Sequence, residues 1–112
     1  CPEGRSAKNW VDYNFFGHQL TIQEVPRHER VQRVYNPKSN VPSDHWGIVL
    51  DMDDWKALRD KCKKIGVTFF IEPNTVMKDE VGEQMSFFIE DPDGHAIEFK
   101  AMTEKGNLFK KG

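Results

Sequence analysis

The pattern of apolar and polar positions after residue 44 predicts one helix among four strands. Short runs that alternate or are rich in β-branched and aromatic residues indicate strands at residues 45–50, 67–72, 84–90 and 96–102. Between the first two runs, residues 51–66 carry apolar side chains at helical spacing, namely Trp55, Leu58, Cys62 and Ile65. Asp51 is placed to cap this helix, and Gly66 is placed to end it.

The first part of the chain shows a shorter version of this pattern. Residues 9–16 and 18–25 alternate weakly and flank a glycine, so that a hairpin is expected there. Residues 1–7 are expected to form a loop. Residues 26–43 contain three prolines and many charges, and they predict a long connection of the kind that is usually functional or mobile.

The two predicted hairpins resemble each other in sequence. Aligning "FFGHQLTIQ" with "DPDGHAIEF" superimposes the Gly-His pair of each segment and places Thr21 at the position of Glu98. The resulting order is strand, helix, strand, strand, strand in the second part, preceded by two strands that repeat its last two. The pattern therefore indicates a weak internal repeat.

Composition and charge limit the classes of partner. The chain has 112 residues, enough for one compact domain, and its 16 basic and 18 acidic residues give a net charge of -2. This balance argues against a nucleic-acid-binding protein, and no apolar run is long enough to span a membrane. Two cysteines without a CxxC motif predict a reducing, cytoplasmic setting. Because the chain begins with Cys1 rather than Met, further sequence upstream is expected.

Glu98 stands in the middle of an otherwise apolar strand. After the turn "DPDG", alternation places Glu98 on the opposite face from Ile97 and Phe99. Glu98 is therefore either an ordinary acid facing solvent or a ligand group lining a cavity. His45, at the start of another strand, could satisfy a backbone group or act together with Glu98.

The segments "HWGIVL", "DDWKALRDKCKKIGV", "FFIEP" and above all "GEQMSFFIEDPDGHAIEFKAM" resemble the vicinal oxygen chelate superfamily. That superfamily includes glyoxalase I, the extradiol dioxygenases, and the fosfomycin- and bleomycin-resistance proteins. The resemblance covers about residues 9–109 and is closest to bacterial dioxygenase-like members. It implies an α+β fold in which paired βαβββ modules form a concave mixed sheet. Residues 1–112 would then be one domain, with a remnant of the first module and the connection at 1–43, a complete module at 44–102 and a tail at 103–112.

The resemblance also implies a metal site. His45 and Glu98 match two metal ligands of the family, and the ion expected is Fe(II) or Mn(II), with Zn or Ni as alternatives. A further His would complete the two-histidine, one-carboxylate set that suits such ions. In the family that His lies on the first strand of the first module, which has no counterpart here, and Thr21 cannot replace an imidazole. Thr21, Gln23 and Phe88 are expected to line the substrate pocket.

Two functions follow from this resemblance. The first is a metal-dependent enzyme acting on a small substrate chelated through oxygens; Thr21, at the place of an acid in glyoxalase I, favours an extradiol-dioxygenase-like reaction. The alternative is a metal-free module that binds drug-like small molecules. A homodimer is expected, because Leu20 and Ile22 lack a covering helix. The third ligand would then be His18, His28 or His95 of the second copy.

Overall fold

The computed structural model describes residues 1–26 and 32–111, and these form two β-sheets and one α-helix. The strands are β1 Glu3–Ala7, β2 Trp10–Phe15, β3 His18–Gln23, β4 His45–Val49, β5 Phe69–Val76, β6 Gln84–Glu90 and β7 Ala96–Met102, and the helix is α1 Met52–Ile65. The α+β class is therefore confirmed. Neither α1 nor any other helix in the described ranges is long and apolar enough to cross a membrane.

The second part of the chain forms a four-stranded mixed sheet in the order β4-β7-β6-β5. β4 runs parallel to β7, whereas β7 and β6, and β6 and β5, are antiparallel. The parallel pair arises because α1 carries the chain from β4 back to the far edge of the sheet, as a crossover connection must. β4 and β5 are consequently the edge strands of this sheet.

Helix α1 covers one face of this sheet through two fully or largely buried side chains. Trp55 is 0% exposed and donates its indole N–H to the carbonyl oxygen of Phe99 at 2.8 Å. Cys62 joins Trp55 in a core cluster with Phe87, Phe99 and Ala101. The expected place of Ile65 in the apolar stripe is wrong, because Ile65 is 65% exposed and does not join this cluster.

The C-terminal end of α1 agrees with the sequence prediction, whereas the predicted side-chain cap at its N-terminal end is not formed. Gly66 ends the helix at a φ of 79°, and its N–H points to the carbonyl groups of Cys62 and Lys63. Asp51 occupies the N-cap position with extended backbone angles, but its side chain makes no capping hydrogen bond within the described residues. Its carboxylate instead lies 3.1 Å from the Lys105 ammonium.

The first part of the chain forms a separate three-stranded antiparallel sheet in the order β1-β2-β3. The expectation of a loop at residues 1–7 is wrong, because β1 pairs with β2 across a bulge between Glu3 and Ser6. Every residue of β1 is exposed, so backbone pairing rather than burial defines this strand.

The three-stranded sheet contacts the rest of the protein through the tip of its hairpin. The Phe15 ring lies 5.5 Å from that of Trp46 and 6.4 Å from that of Phe99, measured between centroids. Farther along β3, Ile22 is 50% exposed. The radius of gyration of 15.7 Å exceeds the roughly 13 Å of a compact domain of about this size. The sheet therefore projects outward, and its apolar face lacks a covering helix within the described ranges, as the sequence predicted.

β5 is longer than the sequence predicted. The pattern placed a loop from Pro73 onward, but the strand continues to Val76. The pairing with β6 shifts register between Ile71 and Asn74, which places Pro73 in an irregularity of an edge strand. Proline is tolerated there because its missing N–H is not needed by a second neighbour.

Candidate metal centre

His45 and Glu98 converge on the face of the four-stranded sheet that α1 does not cover. In the register, His45 lies beside Ala96 and Gly47 lies beside Glu98, so both functional side chains project from the same face. The Nε2 atom of His45 is 3.5 Å from Oε1 of Glu98. The side chains are partly exposed, at 28% and 15% respectively. The sequence-predicted pair is thus brought together at the edge of the sheet.

The contact of the other imidazole nitrogen, Nδ1, indicates which tautomer the neutral His45 ring adopts. Nδ1 lies 2.7 Å from the carbonyl oxygen of Pro42. Because a carbonyl oxygen can only accept, this contact assigns the hydrogen to Nδ1. Nε2 of the neutral ring then carries a lone pair, and that lone pair faces a carboxylate oxygen. A divalent cation placed between these two atoms would accept both lone pairs.

A buried serine orients the carboxylate of this pair. Ser86, 1% exposed, donates its hydroxyl to Oε2 of Glu98 at 2.6 Å. This hydrogen bond occupies one carboxylate oxygen and leaves Oε1 directed toward His45. Hydrogen bonds of this kind are the usual support of metal-ligating side chains. The donor set, one imidazole nitrogen and one carboxylate oxygen, suits a divalent metal ion, and two bonds of about 2.1 Å would span the gap.

Gly47 permits the close approach of the two strands that carry His45 and Glu98. A Cβ atom at this position would overlap the backbone carbonyl of Glu98 and would lie 2.7 Å from its carbon. Backbone atoms cannot move aside as a flexible side chain can. The absence of a side chain at residue 47 therefore sets the spacing of β4 and β7 at the candidate site.

A cleft of about 400 Å³ opens beside the His45–Glu98 pair. Phe88 forms one wall, with its ring centroid 5.0 Å from that of His45 in an edge-on arrangement. The opposite walls come from the connection before β4 and from β5. The remaining lining residues are Asn40, Val41, Ile71, Asn74, Thr75, Val76, Gln84 and Ser86. The cleft thus combines an aromatic wall with uncharged hydrogen-bonding groups.

Thr21 and Gln23 lie on β3 in the other sheet and are not among the described residues that line this cleft. Thr21 donates its hydroxyl to Oδ1 of Asp12 at 2.6 Å, and Asp12 is buried, at 6% exposure. The alternation of β2 gave no reason to single out Asp12, because a buried acid looks like a surface acid in sequence. The assignment of Thr21 and Gln23 to a substrate pocket stays a prediction.

The described residues bring together two candidate ligands and not three. In residues 1–26 and 32–111, no cluster of three or more His, Cys, Asp or Glu side chains could hold a metal ion. His18 lines a different cavity beside the start of α1, and His95 is exposed in the turn before β7. His28 lies outside the described residues.

The sequence identified the two candidate ligands but missed their supports. Ser86 shares a strand face with Phe88, so the alternation could have indicated it. The role of Pro42 rests on a backbone carbonyl, which any residue possesses. The need for glycine at residue 47 depends on a strand pairing that becomes visible only in three dimensions.

The fold and the paired His and Glu on neighbouring strands define a vicinal-oxygen-chelate-type protein. The family model of the Glyoxalase/Bleomycin resistance protein/Dioxygenase superfamily matches residues 12–99, and the chain belongs to this superfamily. A comparison with curated proteins of known function finds no significant match.

Solved structures with the same fold are distant in sequence. A glyoxalase/bleomycin resistance protein/dioxygenase from Alicyclobacillus acidocaldarius has a TM-score of 0.78 and 23% identity, over 97% of this chain and 78% of that one. The fosfomycin resistance protein FosX from Listeria monocytogenes has a TM-score of 0.65 and 21% identity, over 96% and 77%. FosX from Mesorhizobium loti has a TM-score of 0.60 and 17% identity, over 96% and 75%. At these identities the likeness shows the fold, which each neighbour carries in a longer chain.

Proposed function

We propose that the protein is a divalent-metal-dependent enzyme acting on a small substrate that binds through its oxygen atoms. The observation that carries the proposal is the 3.5 Å approach of His45 Nε2 to Glu98 Oε1, with Nδ1 of the same ring bonded to the Pro42 carbonyl. This arrangement leaves a nitrogen and an oxygen lone pair facing one point. Fe(II) or Mn(II) is the proposed ion, because a mixed imidazole and carboxylate set suits both.

Each residue around the cleft has a role in this proposal. The bound ion supplies Lewis-acid polarisation of the substrate oxygens. Ser86 holds the Glu98 carboxylate in place, while the Phe88 ring offers an apolar wall to the carbon skeleton of the substrate. The Gln84 amide can bind further polar atoms, as can Oδ1 of Asn74, whose Nδ2 already donates to the Glu72 carbonyl.

Within the superfamily we propose chemistry of the extradiol dioxygenase type rather than that of glyoxalase I. Thr21 is the residue that stands at the repeat position of Glu98, so the first sheet supplies no matching acid there. A two-histidine, one-carboxylate site needs only one more His. We propose that this ligand comes from a second copy in a homodimer, from the partner's His18, His28 or His95.

Metal titration of the full chain tests this function. The wild-type protein is expected to bind Mn(II) with a calorimetric signal that Glu98→Ala abolishes, while the circular dichroism spectrum stays unchanged. The carboxylate faces a cleft, so its removal leaves no buried charge unpaired. Glu72→Ala is a matched control that removes an exposed strand glutamate outside the cleft. Equal Mn(II) affinity in wild type and Glu98→Ala would refute the assignment.

The alternative is a metal-free module that binds a small drug-like molecule. It is favoured by the finding of only two candidate ligands among the described residues and by the aromatic wall of the cleft. Binding of a planar aromatic probe that survives excess chelator, but is lost in Phe88→Ala, would support this alternative over the enzyme. Both cysteines are free, which fits the cytoplasmic setting that we propose for either function.

A further inference from the structure

The connection before β4 is folded into an arm, defined here as residues 33–43. Its two legs are held together by backbone hydrogen bonds, from Ser43 N–H to the Val34 carbonyl at 2.7 Å and from Asn36 N–H to the Val41 carbonyl at 2.9 Å. The returning leg carries Pro42, which is fully buried, and leads directly into His45. The arm is therefore an ordered element that delivers a carbonyl group to the candidate metal centre.

Arg33 clamps the base of the arm to the turn between β6 and β7. Its Nη2 donates to Oε2 of Glu90 at 2.6 Å and to the carbonyl oxygen of Gly94 at 2.9 Å. The guanidinium also lies 4.7 Å from the centroid of the Phe70 ring. With its side chain only 16% exposed and engaged on three sides, Arg33 is a structural cation rather than a free one.

These contacts belong to a closed series of neighbouring residues that includes the candidate ligand His45. Glu90 lies opposite Ala96 in the β6–β7 register, and Ala96 lies beside His45 in the β7–β4 register. His45 bonds to Pro42, and Pro42 bridges to Tyr35 two residues from Arg33. The position of the Pro42 carbonyl is thus fixed from two directions, by the start of β4 and by the Arg33 clamp.

Two acceptors compete for the single hydrogen of a neutral His45 ring. The Pro42 carbonyl at 2.7 Å draws it to Nδ1, whereas the Glu98 carboxylate at 3.5 Å would draw it to Nε2. The shorter contact prevails only while the carbonyl is held in place. A hydrogen on Nε2 would occupy the lone pair that a metal ion needs.

We propose that Arg33 is a positioning residue for His45. Through the arm it holds the Pro42 carbonyl against Nδ1 and so keeps the Nε2 lone pair available at Glu98. The tautomer of the metal-free ring does not depend on the proposed function, whereas the consequence for metal affinity rests on it. A purely structural clamp would stabilise the fold without selecting the tautomer.

Nitrogen-15 imidazole spectra of the metal-free full chain test the proposal, at a pH where the ring carries one hydrogen. Wild-type His45 is expected to show the hydrogen on Nδ1. In Arg33→Gln the signals should shift to a mixture in which Nε2 is substantially protonated, and Arg33→Lys should restore part of the wild-type pattern. Mn(II) affinity should fall about tenfold in Arg33→Gln, the lower end of the range for supports of metal ligands.

Arg59→Gln is the matched control. Arg59 also stacks on an aromatic ring, 5.4 Å from the centroid of Trp55, and also pairs with an acid, Asp60, but it does so on α1. It should leave the His45 signals unchanged. If Arg33→Gln does not fold, Glu90→Gln weakens the same clamp while keeping an acceptor oxygen, and it should shift the tautomer in the same direction.

The results distinguish a failure of the positioning role of Arg33 from a failure of the metal-dependent function. An unchanged His45 tautomer in a folded Arg33→Gln or Glu90→Gln protein overturns the positioning role, whatever happens to stability. A shifted tautomer supports the role. If wild type then shows no Mn(II) binding at all, the metal-dependent function fails while the positioning of His45 stands.

Discussion

Gly47 lies where a Cβ atom on β4 would overlap the backbone of β7. Gly47→Ala is expected to lower the free energy of unfolding by about 1–3 kcal/mol, as overpacking does, and to weaken Mn(II) binding by moving His45 relative to Glu98. Urea unfolding and Mn(II) titration measure the two effects. Gly106→Ala is the control, because a Cβ there meets open space. Wild-type stability in Gly47→Ala would show that the strands can separate without cost.

Cys62 lies on the buried side of α1, and burial raises the pKa of its thiol. The folded state therefore favours the neutral thiol, which is the poorer nucleophile. Iodoacetamide is expected to modify the exposed Cys1 quickly and Cys62 slowly, as followed by mass spectrometry of the native protein. Comparable rates for the two cysteines would contradict this picture.

The raised pKa of the Cys62 thiol also determines how the stability of the fold changes with pH. Because the folded-state pKa of Cys62 lies above the unfolded one, its contribution to stability is complete below the unfolded thiol pKa. That contribution is lost as the pH rises through the folded value. The midpoint of urea unfolding should thus fall in alkaline solution, and it should fall less in Cys62→Ala.

Among single residues, the sequence identified those whose chemistry is unusual for their position. Glu98 stood out as an acid in an apolar strand, and the structure places it beside His45. Pro42 did not stand out, since its contribution is a carbonyl group. Whether the pair binds metal is a question of affinity, which spacing in a sequence does not report.

Buried helices and strands are predicted well from the sequence, whereas exposed ones are not. β6, β7 and α1 carry the core cluster, and their bounds agree with the apolar pattern to within one or two residues. β1 is wholly exposed and β5 extends through Pro73 on an edge, so neither leaves an apolar signature at those positions. Strands defined by backbone pairing alone are not encoded in side-chain alternation.

Trp55 is the anchor of α1 on the sheet. Trp55→Phe removes the indole N–H that bonds to the Phe99 carbonyl and leaves a void in a fully buried site. The expected loss is about 2–4 kcal/mol, from the hydrogen bond and the cavity together. Thermal unfolding measures it, with Trp46→Phe as a control at a residue that is 40% exposed. Equal losses in the two variants would argue against a special role of Trp55.

For the whole molecule, the outward sheet is the feature that sets solution behaviour. Ile22 on β3 is 50% exposed on an apolar face, and such faces favour association. We expect the wild-type protein to self-associate, and Ile22→Lys to shift the mass measured by light scattering toward a monomer. Phe109→Lys is a control that changes an apolar side chain of 91% exposure elsewhere. A monomeric, stable wild type would show that the first part of the chain has been aligned wrongly with the family.

Once the third tryptophan, Trp10, is replaced by Phe, Trp46 and Trp55 make the protein its own optical probe. Trp55 is enclosed by the core, whereas Trp46, adjacent to His45 on the edge strand β4, is 40% exposed and packs against the Phe15 ring. Their fluorescence should differ in wavelength and in accessibility to a dissolved quencher such as iodide. Any strand or second copy that docks along β4 would shield Trp46 and leave the emission of Trp55 as an internal reference. Events at the edge that carries His45 can therefore be followed in the unlabelled protein.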